Sequence, residues 1–130
     1  LEDLLGAAGD SFGRHRNVVI TAEIDEDQLD SREIFPLGML VNELVTNSYK
    51  YAFSGTGGSI FVEYRCSPDG TRVLLYRDSG AGVPPAVLEG TAGGFGMRLV
   101  RLLVRQLEGQ LSMSNDGGFV CRIQFRMASA

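Results

Sequence analysis

The chain contains the segment Leu40-Val41-Asn42-Glu43-Leu44-Val45-Thr46-Asn47-Ser48-Tyr49-Lys50-Tyr51-Ala52-Phe53. At about 100° per residue, this pattern predicts a helix that is apolar on most sides and has one narrow polar stripe. The stripe contains Glu43, Asn47 and Lys50, at positions i, i+4 and i+7. Small or apolar side chains fill the opposite arc: Leu37, Val41, Leu44, Val45, Ser48 and Ala52. The segment therefore predicts a core helix with one distinctive polar edge.

The chemistry of this stripe fits a polyphosphate with its Mg²⁺. The carboxylate of Glu43 can orient a water, the carboxamide oxygen of Asn47 is a hard metal ligand, and the ammonium of Lys50 can face a phosphate. An ordinary amphipathic helix with a solvated edge explains the stripe alone equally well. The motifs further along the chain favour the first interpretation.

Length and composition indicate one globular domain. The 130 residues are enough to bury a core, and the 44% hydrophobic and 22% charged fractions are typical of such a domain. The net charge of −4 includes no block of like charges, so we expect no nucleic-acid surface. No apolar run is long enough to cross a membrane, so we expect no direct membrane contact. Because the chain opens on Leu1, we expect it to be one domain of a longer protein.

The two cysteines, Cys66 and Cys121, lie in predicted strands, far apart and without a CxxC spacing. This usage is typical of reduced core thiols and not of a metal or redox site. We therefore expect a cytoplasmic protein.

Five segments rich in β-branched or alternating residues predict strands. They are 17–23, 59–66, 71–77, 110–114 and 119–127. Turn-forming residues at 67–70 and 115–118 predict that the second and third strands, and the fourth and fifth, are hairpins.

Two amphipathic helices are predicted between the strands. The first begins at Ser31, with Pro36 near its first turn or at a second start, and ends at Phe53. The second covers 96–107 and ends at a C′ glycine, Gly109. Four of its side chains face inward (Leu99, Val100, Leu103 and Leu107) and three outward (Arg98, Arg101 and Arg105).

A helix end at 1–8 and a helical turn at 85–89 complete the predicted elements. Helices and antiparallel hairpins are combined here, without a run of βαβ units. We therefore predict an α/β fold, a two-layer sandwich whose mixed, mostly antiparallel sheet is covered on one face by about three helices.

Two glycine motifs follow the first helix along the chain. Asp78-Ser79-Gly80-Ala81-Gly82 leaves the third predicted strand, so the sheet would hold the Asp78 carboxylate ready to accept a hydrogen bond from an exocyclic amine. Adenine has such an amine at N6, whereas guanine has a carbonyl there. The glycines let the chain turn and let a flat ring approach the backbone. Gly94-Phe95-Gly96 precedes the second helix, whose free N–H groups favour phosphate.

Each motif alone is a weak signal. The dinucleotide-binding fingerprint is not met, because Leu99 stands three residues after Gly96, and the sequence has no phosphate-binding loop of the Walker type. The specific signal is the order of the helix stripe, the DxGxG motif and the GxG motif within about 60 residues.

This combination resembles the ATP-binding domain of the superfamily that contains DNA gyrase, Hsp90, MutL and the sensor histidine kinases. Within it, the chain is most similar to the catalytic ATP-binding domain of bacterial two-component histidine kinases, in the subgroup with a HisKA_2-type dimerisation domain. Residues 37–53 resemble the N box, 78–84 the G1 box and 94–100 the G2 box. The resemblance covers nearly the whole chain and implies the Bergerat ATP-binding fold, with ATP and Mg²⁺ as ligands.

The resemblance implies catalytic roles on the first helix. Asn47 would be the protein ligand to Mg²⁺, and Glu43 would polarise the attacking group or a metal-bound water. Lys50 would contact a phosphate, and Tyr51 would line the nucleotide pocket.

The resemblance also implies nucleotide contacts from the two glycine boxes. Asp78 would read the adenine amine, and Gly94 and Gly96 would form a hinge where a lid meets the phosphates. Arg98 would reach the γ-phosphate or remain an exposed arginine. The residues implied by these boxes are Asp78, Gly80, Gly82, Val83, Gly94, Phe95, Gly96, Met97 and Arg98.

Two features depart from the family pattern. The lid, 83–93, is short and has no Lys or Arg, which suggests loose closure over the γ-phosphate. Gly118-Phe119 stands where the family commonly has Gly-Thr, so a hydroxyl near the adenine is missing unless Ser112 or Ser114 supplies it.

The only histidine of the chain, His15, lies in a short polar turn. We therefore expect the phosphoacceptor histidine on a dimerisation domain that, with a sensor domain, precedes residues 1–130 in the full protein. A response regulator would be the downstream partner. The alternatives are a serine kinase of the anti-sigma-factor type, a non-enzymatic ATP-gated regulatory module, and a clamp ATPase.

Overall fold

The computed structural model describes residues 17–53, 57–90 and 94–127. The predicted helix end at 1–8 and the interpretation of His15 lie outside these residues. Within the described ranges, five strands form one sheet in the order β1-β2-β3-β5-β4. The strands are β1 (Val18–Ile24), β2 (Gly58–Cys66), β3 (Thr71–Asp78), β4 (Gln110–Asn115) and β5 (Phe119–Arg126). Only β1 and β2 pair in parallel, and the other neighbours are antiparallel.

The helices of the described residues pack on one face of this sheet. They are α1 (Ser31–Asn47), α2 (Pro85–Glu89) and α3 (Gly94–Gln106), and a 3-10 turn at Glu26–Gln28 precedes α1. A π-helical turn, Ser48–Ala52, extends α1 toward its predicted end at Phe53. The predicted two-layer α/β sandwich with a mixed, mostly antiparallel sheet is confirmed.

The sheet buries every second side chain of its central strands against α1. The register aligns Tyr64, Leu74 and Ile123 across β2, β3 and β5, and each is fully buried. Leu40 and Leu44 of α1 belong to the same core. This alternation matches the period-2 pattern expected of a sheet with one covered face.

Cys66 and Cys121 are both free and buried, as predicted. Burial raises the pKa of both thiols above the ordinary value, that of Cys121 to about 12. Both cysteines are therefore protonated packing residues at neutral pH.

Helix α1 begins at the predicted Ser31, with Asp30 as its N-cap. The Asp30 carboxylate accepts a hydrogen bond from the Arg32 backbone N–H at 2.8 Å, and Glu33 accepts one from the Asp30 N–H at 2.7 Å. This capping box satisfies donors that a helix N-terminus would otherwise leave unpaired. Pro36 lies inside the helix and does not start a second one.

Helix α3 differs from its prediction at both ends. It begins at Gly94, so the GxG motif forms the first turn and does not precede the helix. At the other end Glu108, and not Gly109, has the left-handed conformation, with φ of 54°. Gly109 is required for another reason, because a Cβ there would lie 2.8 Å from the carbonyl oxygen of Gln124.

Among the described residues, no helix combines the length and the apolar character that a membrane span requires.

Candidate functional site

The Asp78 carboxylate lies at the end of β3 and is anchored from three directions. It is 6% exposed. Its Oδ1 accepts hydrogen bonds from the backbone N–H groups of Gly80 and Phe119, each at 3.0 Å. Its Oδ2 accepts one from the hydroxyl of Ser48 at 2.7 Å. The loop after β3, the start of β5 and the end of α1 therefore fix one carboxylate.

The β4–β5 turn brings the Phe119 N–H to this position. Gly118 has φ of 136°, and a Cβ there would overlap the carbonyl oxygen of Asp78. Only glycine allows the two backbones to approach so closely. Phe119 is buried, with its ring centroid 6.2 Å from that of Tyr76. The residue that departs from the Gly-Thr pattern thus contacts Asp78 through its backbone.

Ser48 is a site residue that the sequence pattern did not reveal. The prediction placed it correctly on the inward arc, where it is fully buried. Its hydroxyl, however, lies 2.7 Å from Asp78 Oδ2 and 2.6 Å from Tyr76 Oη. A signal for Tyr76 was present, because it stands two residues before Asp78 and therefore on the same face of β3.

The three residues of the predicted polar stripe have different environments. Glu43 is half-buried, Asn47 is 4% exposed, and Lys50 is exposed in the π-helical turn. Among the described residues, no group accepts a hydrogen bond from Asn47 Nδ2. The Lys50 ammonium lies 5.1 Å from the ring centroid of half-buried Tyr51. Asn47 is therefore a buried amide with unused hydrogen-bonding capacity, which a solvated edge does not explain.

The first turn of α3 lies beside Glu43. A Cβ on Gly96 would lie 2.5 Å from Glu43 Oε2, so glycine leaves room for this carboxylate. Gly94 has φ of 62° and open space where a Cβ would project. Met97 is buried in the hydrophobic core, whereas Arg98 is exposed. The backbone of Phe95 belongs to α3, and its side chain lies outside the described residues.

Asn115 fastens the loop that follows Asp78. Its Oδ1 accepts a hydrogen bond from the Val83 N–H at 3.0 Å, and its Nδ2 donates one to the Val83 carbonyl oxygen at 2.9 Å. Gly82 has φ of 85°, and a Cβ there would lie 2.6 Å from Asn115 Oδ1. The sequence assigned Asn115 only to a turn, because its partner lies 32 positions away.

Most of the chain matches one known protein family. The chain matches the family described as "Histidine kinase-, DNA gyrase B-, and HSP90-like ATPase" over residues 33–129. The chain belongs to this ATPase family. A comparison with curated proteins found no significant match.

Solved structures of histidine kinases share the fold of this ATPase domain. The histidine kinase domain of the blue-light activated histidine kinase from Erythrobacter litoralis is 24% identical, with a TM-score of 0.80 over 93% of this chain and 56% of that one. The Acinetobacter baumannii histidine kinase AdeS is 18% identical, with a TM-score of 0.74 over 98% of this chain and 63% of that one. The mycobacterial sensor histidine kinase MprB is also 18% identical, with a TM-score of 0.63 over 96% and 94%. The chain thus spans less than two thirds of the first two.

In this ATPase domain the short helix α2 is tied to α3. The Arg101 guanidinium donates hydrogen bonds through Nη2 to the carbonyl oxygens of Val87 and Leu88, each at 3.4 Å. The prediction that Arg101 faces outward is therefore wrong. It is half-buried because the C-terminal end of α2 supplies carbonyl acceptors that helical periodicity within α3 alone does not reveal.

The donor set of the ATPase domain fits a metal that is bound mainly through its nucleotide. Among the described residues, no three His, Cys, Asp or Glu side chains cluster as metal ligands. Asn47, in contrast, has a buried carboxamide whose oxygen is a suitable ligand for Mg²⁺. Mg²⁺ commonly uses one or two protein groups together with substrate phosphates, so a single amide is compatible with it.

Proposed function

We propose that this chain is the ATP-binding catalytic domain of a two-component sensor histidine kinase. It would transfer the γ-phosphoryl group of ATP to a histidine on a separate dimerisation domain. The observation that carries this proposal is the Asp78 carboxylate, which is buried, held from three sides and adjacent to the helix that contains Asn47. Membership of the ATPase family and the shared fold of the solved histidine kinases support it.

Asp78 is the residue that would recognise the base. A carboxylate accepts hydrogen bonds, so it pairs with the exocyclic amine of adenine and repels the carbonyl of guanine. Because its position is fixed before the ligand arrives, little conformational freedom is lost on binding. Gly80, Gly82 and Val83 follow Asp78 in the loop and would surround the base.

Phosphate and metal contacts would come from the end of α1 and the start of α3. Asn47 would hold Mg²⁺ through its carboxamide oxygen, and bound Mg²⁺ would offset the negative charge of the phosphates. Glu43, which lies beside Gly96, would polarise the attacking group or a metal-bound water. Lys50 and Arg98 are the exposed cations that flank this region and would contact phosphates.

The proposed reaction needs two protein partners, a dimerisation domain and a response regulator. A dimerisation domain would present the acceptor histidine, and docking of that domain would set the rate of transfer. A response regulator would then receive the phosphoryl group. We place the domain in the cytoplasm, where ATP and such partners meet.

Phosphotransfer in trans tests the proposal. The chain is incubated with γ-labelled ATP, Mg²⁺ and a separately produced dimerisation domain from the same full-length protein. We expect label on the dimerisation domain that is lost in acid and stable in alkali, which is characteristic of phosphohistidine. The same domain with its histidine changed to alanine is the control and should remain unlabelled.

Two other outcomes would contradict the proposal. Acid-stable label on a serine-containing protein substrate would identify a serine kinase. ATP binding without any transfer, under conditions in which the two domains associate, would identify an ATP-gated regulatory module.

A further inference from the structure

Asp78 is the end of a chain of buried hydroxyl groups. Ser48 and Tyr76 are both 0% exposed. Ser48 Oγ lies 2.7 Å from Asp78 Oδ2 and 2.6 Å from Tyr76 Oη. Tyr76 Oη lies 3.1 Å from the carbonyl oxygen of Leu44. Two hydroxyls therefore connect the backbone of α1 with the carboxylate at the end of β3.

The number of available protons fixes the direction of this chain. An ionised carboxylate only accepts hydrogen bonds, so the single proton of Ser48 is donated to Asp78. Tyr76 must then donate in the 2.6 Å contact, and its one phenol proton is shared between Ser48 Oγ at 2.6 Å and the Leu44 carbonyl oxygen at 3.1 Å. Burial raises the pKa of Tyr76 well above its ordinary value, so its phenol keeps the proton that this contact requires. The order is therefore Tyr76 to Ser48 to Asp78.

The acceptor sites of the carboxylate are nearly all occupied. Each oxygen of a carboxylate has two lone pairs. Those of Asp78 Oδ1 receive the N–H groups of Gly80 and Phe119. One lone pair of Oδ2 receives the hydroxyl of Ser48. Among the described contacts, one lone pair on Oδ2 is left for a ligand.

We propose that Ser48 and Tyr76 are positioning residues that set the base preference of the site. They hold Asp78 Oδ2 so that its single remaining acceptor site meets one donor, the 6-amino group of a purine. This inference rests on the proposed function, since it concerns how the nucleotide is chosen. It adds to that function two buried hydroxyl groups to which the sequence motifs assign no role.

Loss of the Ser48 hydroxyl would change the carboxylate in two ways. Oδ2 would gain a second free lone pair, and it would lose the hydrogen bond that connects it to the end of α1. The carboxylate could then rotate to accept other donors, such as the N1–H of a 6-oxo purine. Tyr76 would retain a partner in Leu44, so the change would not leave its hydroxyl unpaired.

The test compares ATP with purine riboside triphosphate, which lacks the 6-amino group, by calorimetry in the presence of Mg²⁺. For the unmodified protein we expect the Kd of the analogue to exceed that of ATP at least tenfold, in line with one hydrogen bond to a charged group. In Ser48→Ala the Kd for ATP should rise about tenfold and the ratio of the two Kd values should fall toward one. Thr46→Val is the matched control, because it removes a hydroxyl of the same helix that, among the described contacts, donates to the Asn42 carbonyl oxygen. It should change neither the Kd for ATP nor the ratio of the two Kd values.

Tyr76→Phe and the double variant separate positioning from general packing. Tyr76→Phe should raise the Kd for ATP about threefold, because Ser48 still donates to Asp78 but is no longer held. The double variant Ser48→Ala/Tyr76→Phe should match Ser48→Ala, since Tyr76 acts only through Ser48. If Ser48→Ala does not fold, Tyr76→Phe tests the inference by itself. A Kd for ATP raised about threefold would support it, and an unchanged Kd would overturn it.

The outcomes distinguish this inference from the proposed function. Absence of ATP binding by the unmodified protein would overturn both. Normal ATP binding with an unchanged Kd ratio in folded Ser48→Ala would overturn only the role of Ser48 and Tyr76. Additive losses in the double variant would also overturn it, because they would show that Tyr76 acts independently of Ser48.

Discussion

At the scale of single residues, Asn47 is a buried carboxamide whose Nδ2 has no hydrogen-bond acceptor among the described residues. Such a group lowers the stability of a protein unless a ligand uses it. We expect Asn47→Ala to raise the Kd for Mg²⁺-ATP at least tenfold and to abolish the dependence of that Kd on Mg²⁺. The free energy of unfolding should change by about 1 kcal/mol or less, because loss of Nδ2 leaves no acceptor among the described residues without its donor. Calorimetry with and without Mg²⁺, and denaturant unfolding, measure the two effects.

Asn42→Ala is the matched control for this prediction. Asn42 belongs to the same helix but is half-buried on another side, 140° around the axis from Asn47 at about 100° per residue. It should leave both the Kd and its Mg²⁺ dependence unchanged. An Asn47→Ala protein that binds Mg²⁺-ATP normally would show that the polar stripe is only part of the helix surface.

At this scale the sequence predicts candidate residues by their functional groups, but it does not reveal the side chains that contact them. Asp78 was predicted because it precedes two glycines at a strand end. Ser48 could not be assigned, because a serine on the inward arc of a helix has the same pattern whether it packs inertly or donates to a distant carboxylate. Its partner lies 30 positions away, and that contact is created only by the packing of α1 on the sheet.

At the scale of elements, the loop after β3 depends on its two hydrogen bonds with Asn115. In Asn115→Asp the Nδ2 donor becomes an oxygen, which would face the Val83 carbonyl oxygen and repel it. We expect the loop to loosen and the Kd for ATP to rise about fivefold to tenfold. We also expect faster hydrogen exchange at the Val83 amide, which mass spectrometry can measure.

Asp116→Ala provides the comparison within the same turn. Among the described contacts, Asp116 contributes its backbone N–H, to the Gly118 carbonyl oxygen, and alanine retains that group. The Kd for ATP and the rate of hydrogen exchange at the Val83 amide should remain as in the unmodified protein. If Asn115→Asp also left the Kd for ATP and the exchange rate unchanged, the two hydrogen bonds between Asn115 and Val83 would have no part in nucleotide binding.

The bounds of the strands were predictable to within one or two residues, whereas the ends of α3 were not. Strand patterns persist over several residues and are fixed by alternation and by turn residues such as Gly70 and Gly117. Helix α3 starts at Gly94, and the residue with the left-handed conformation after it is Glu108. Gly109 instead packs against β5, where a Cβ would lie 2.8 Å from the Gln124 carbonyl oxygen, and local propensity could not reveal this contact.

At the scale of the whole molecule, a buried ionic network joins the start of α1 to the sheet. Glu33 accepts hydrogen bonds from Arg72 Nε at 2.9 Å and from the Tyr64 hydroxyl, and all three side chains are buried. Burial alone would raise the pKa of Glu33, but the hydrogen bonds from Arg72, Tyr64 and the Asp30 backbone outweigh burial and lower it. The folded protein therefore favours the ionised carboxylate.

This network predicts acid sensitivity. Because the pKa of Glu33 is lower in the folded state, its contribution to stability is complete above the ordinary glutamate pKa of about 4.3 and is lost as the pH falls below it. Glu33→Gln should lower the free energy of unfolding at pH 7 by about 3–5 kcal/mol, because Arg72 remains as a buried unpaired cation. Below about pH 4, the free energy of unfolding of this variant should also fall less steeply with pH than that of the unmodified protein. Urea unfolding between pH 3 and pH 7 measures both.

Glu63→Gln is the control for charge removal at the surface. Glu63 pairs with Arg65, whose side chain is 60% exposed, so the variant should lose less than about 1 kcal/mol. A loss in Glu33→Gln no larger than this would show that the buried pair adds nothing beyond a surface pair.

We propose that Asp78 selects adenine at a site built for Mg²⁺-ATP. The most direct test of this role is calorimetric titration of the protein and of Asp78→Asn with Mg²⁺-ATP and with Mg²⁺-GTP, after circular dichroism has established that both proteins are folded. We predict micromolar to millimolar binding of ATP and no measurable binding of GTP by the unmodified protein, and loss or severe weakening of ATP binding in Asp78→Asn. Equal binding of the two nucleotides, or undiminished binding of ATP by Asp78→Asn, would contradict this role of Asp78.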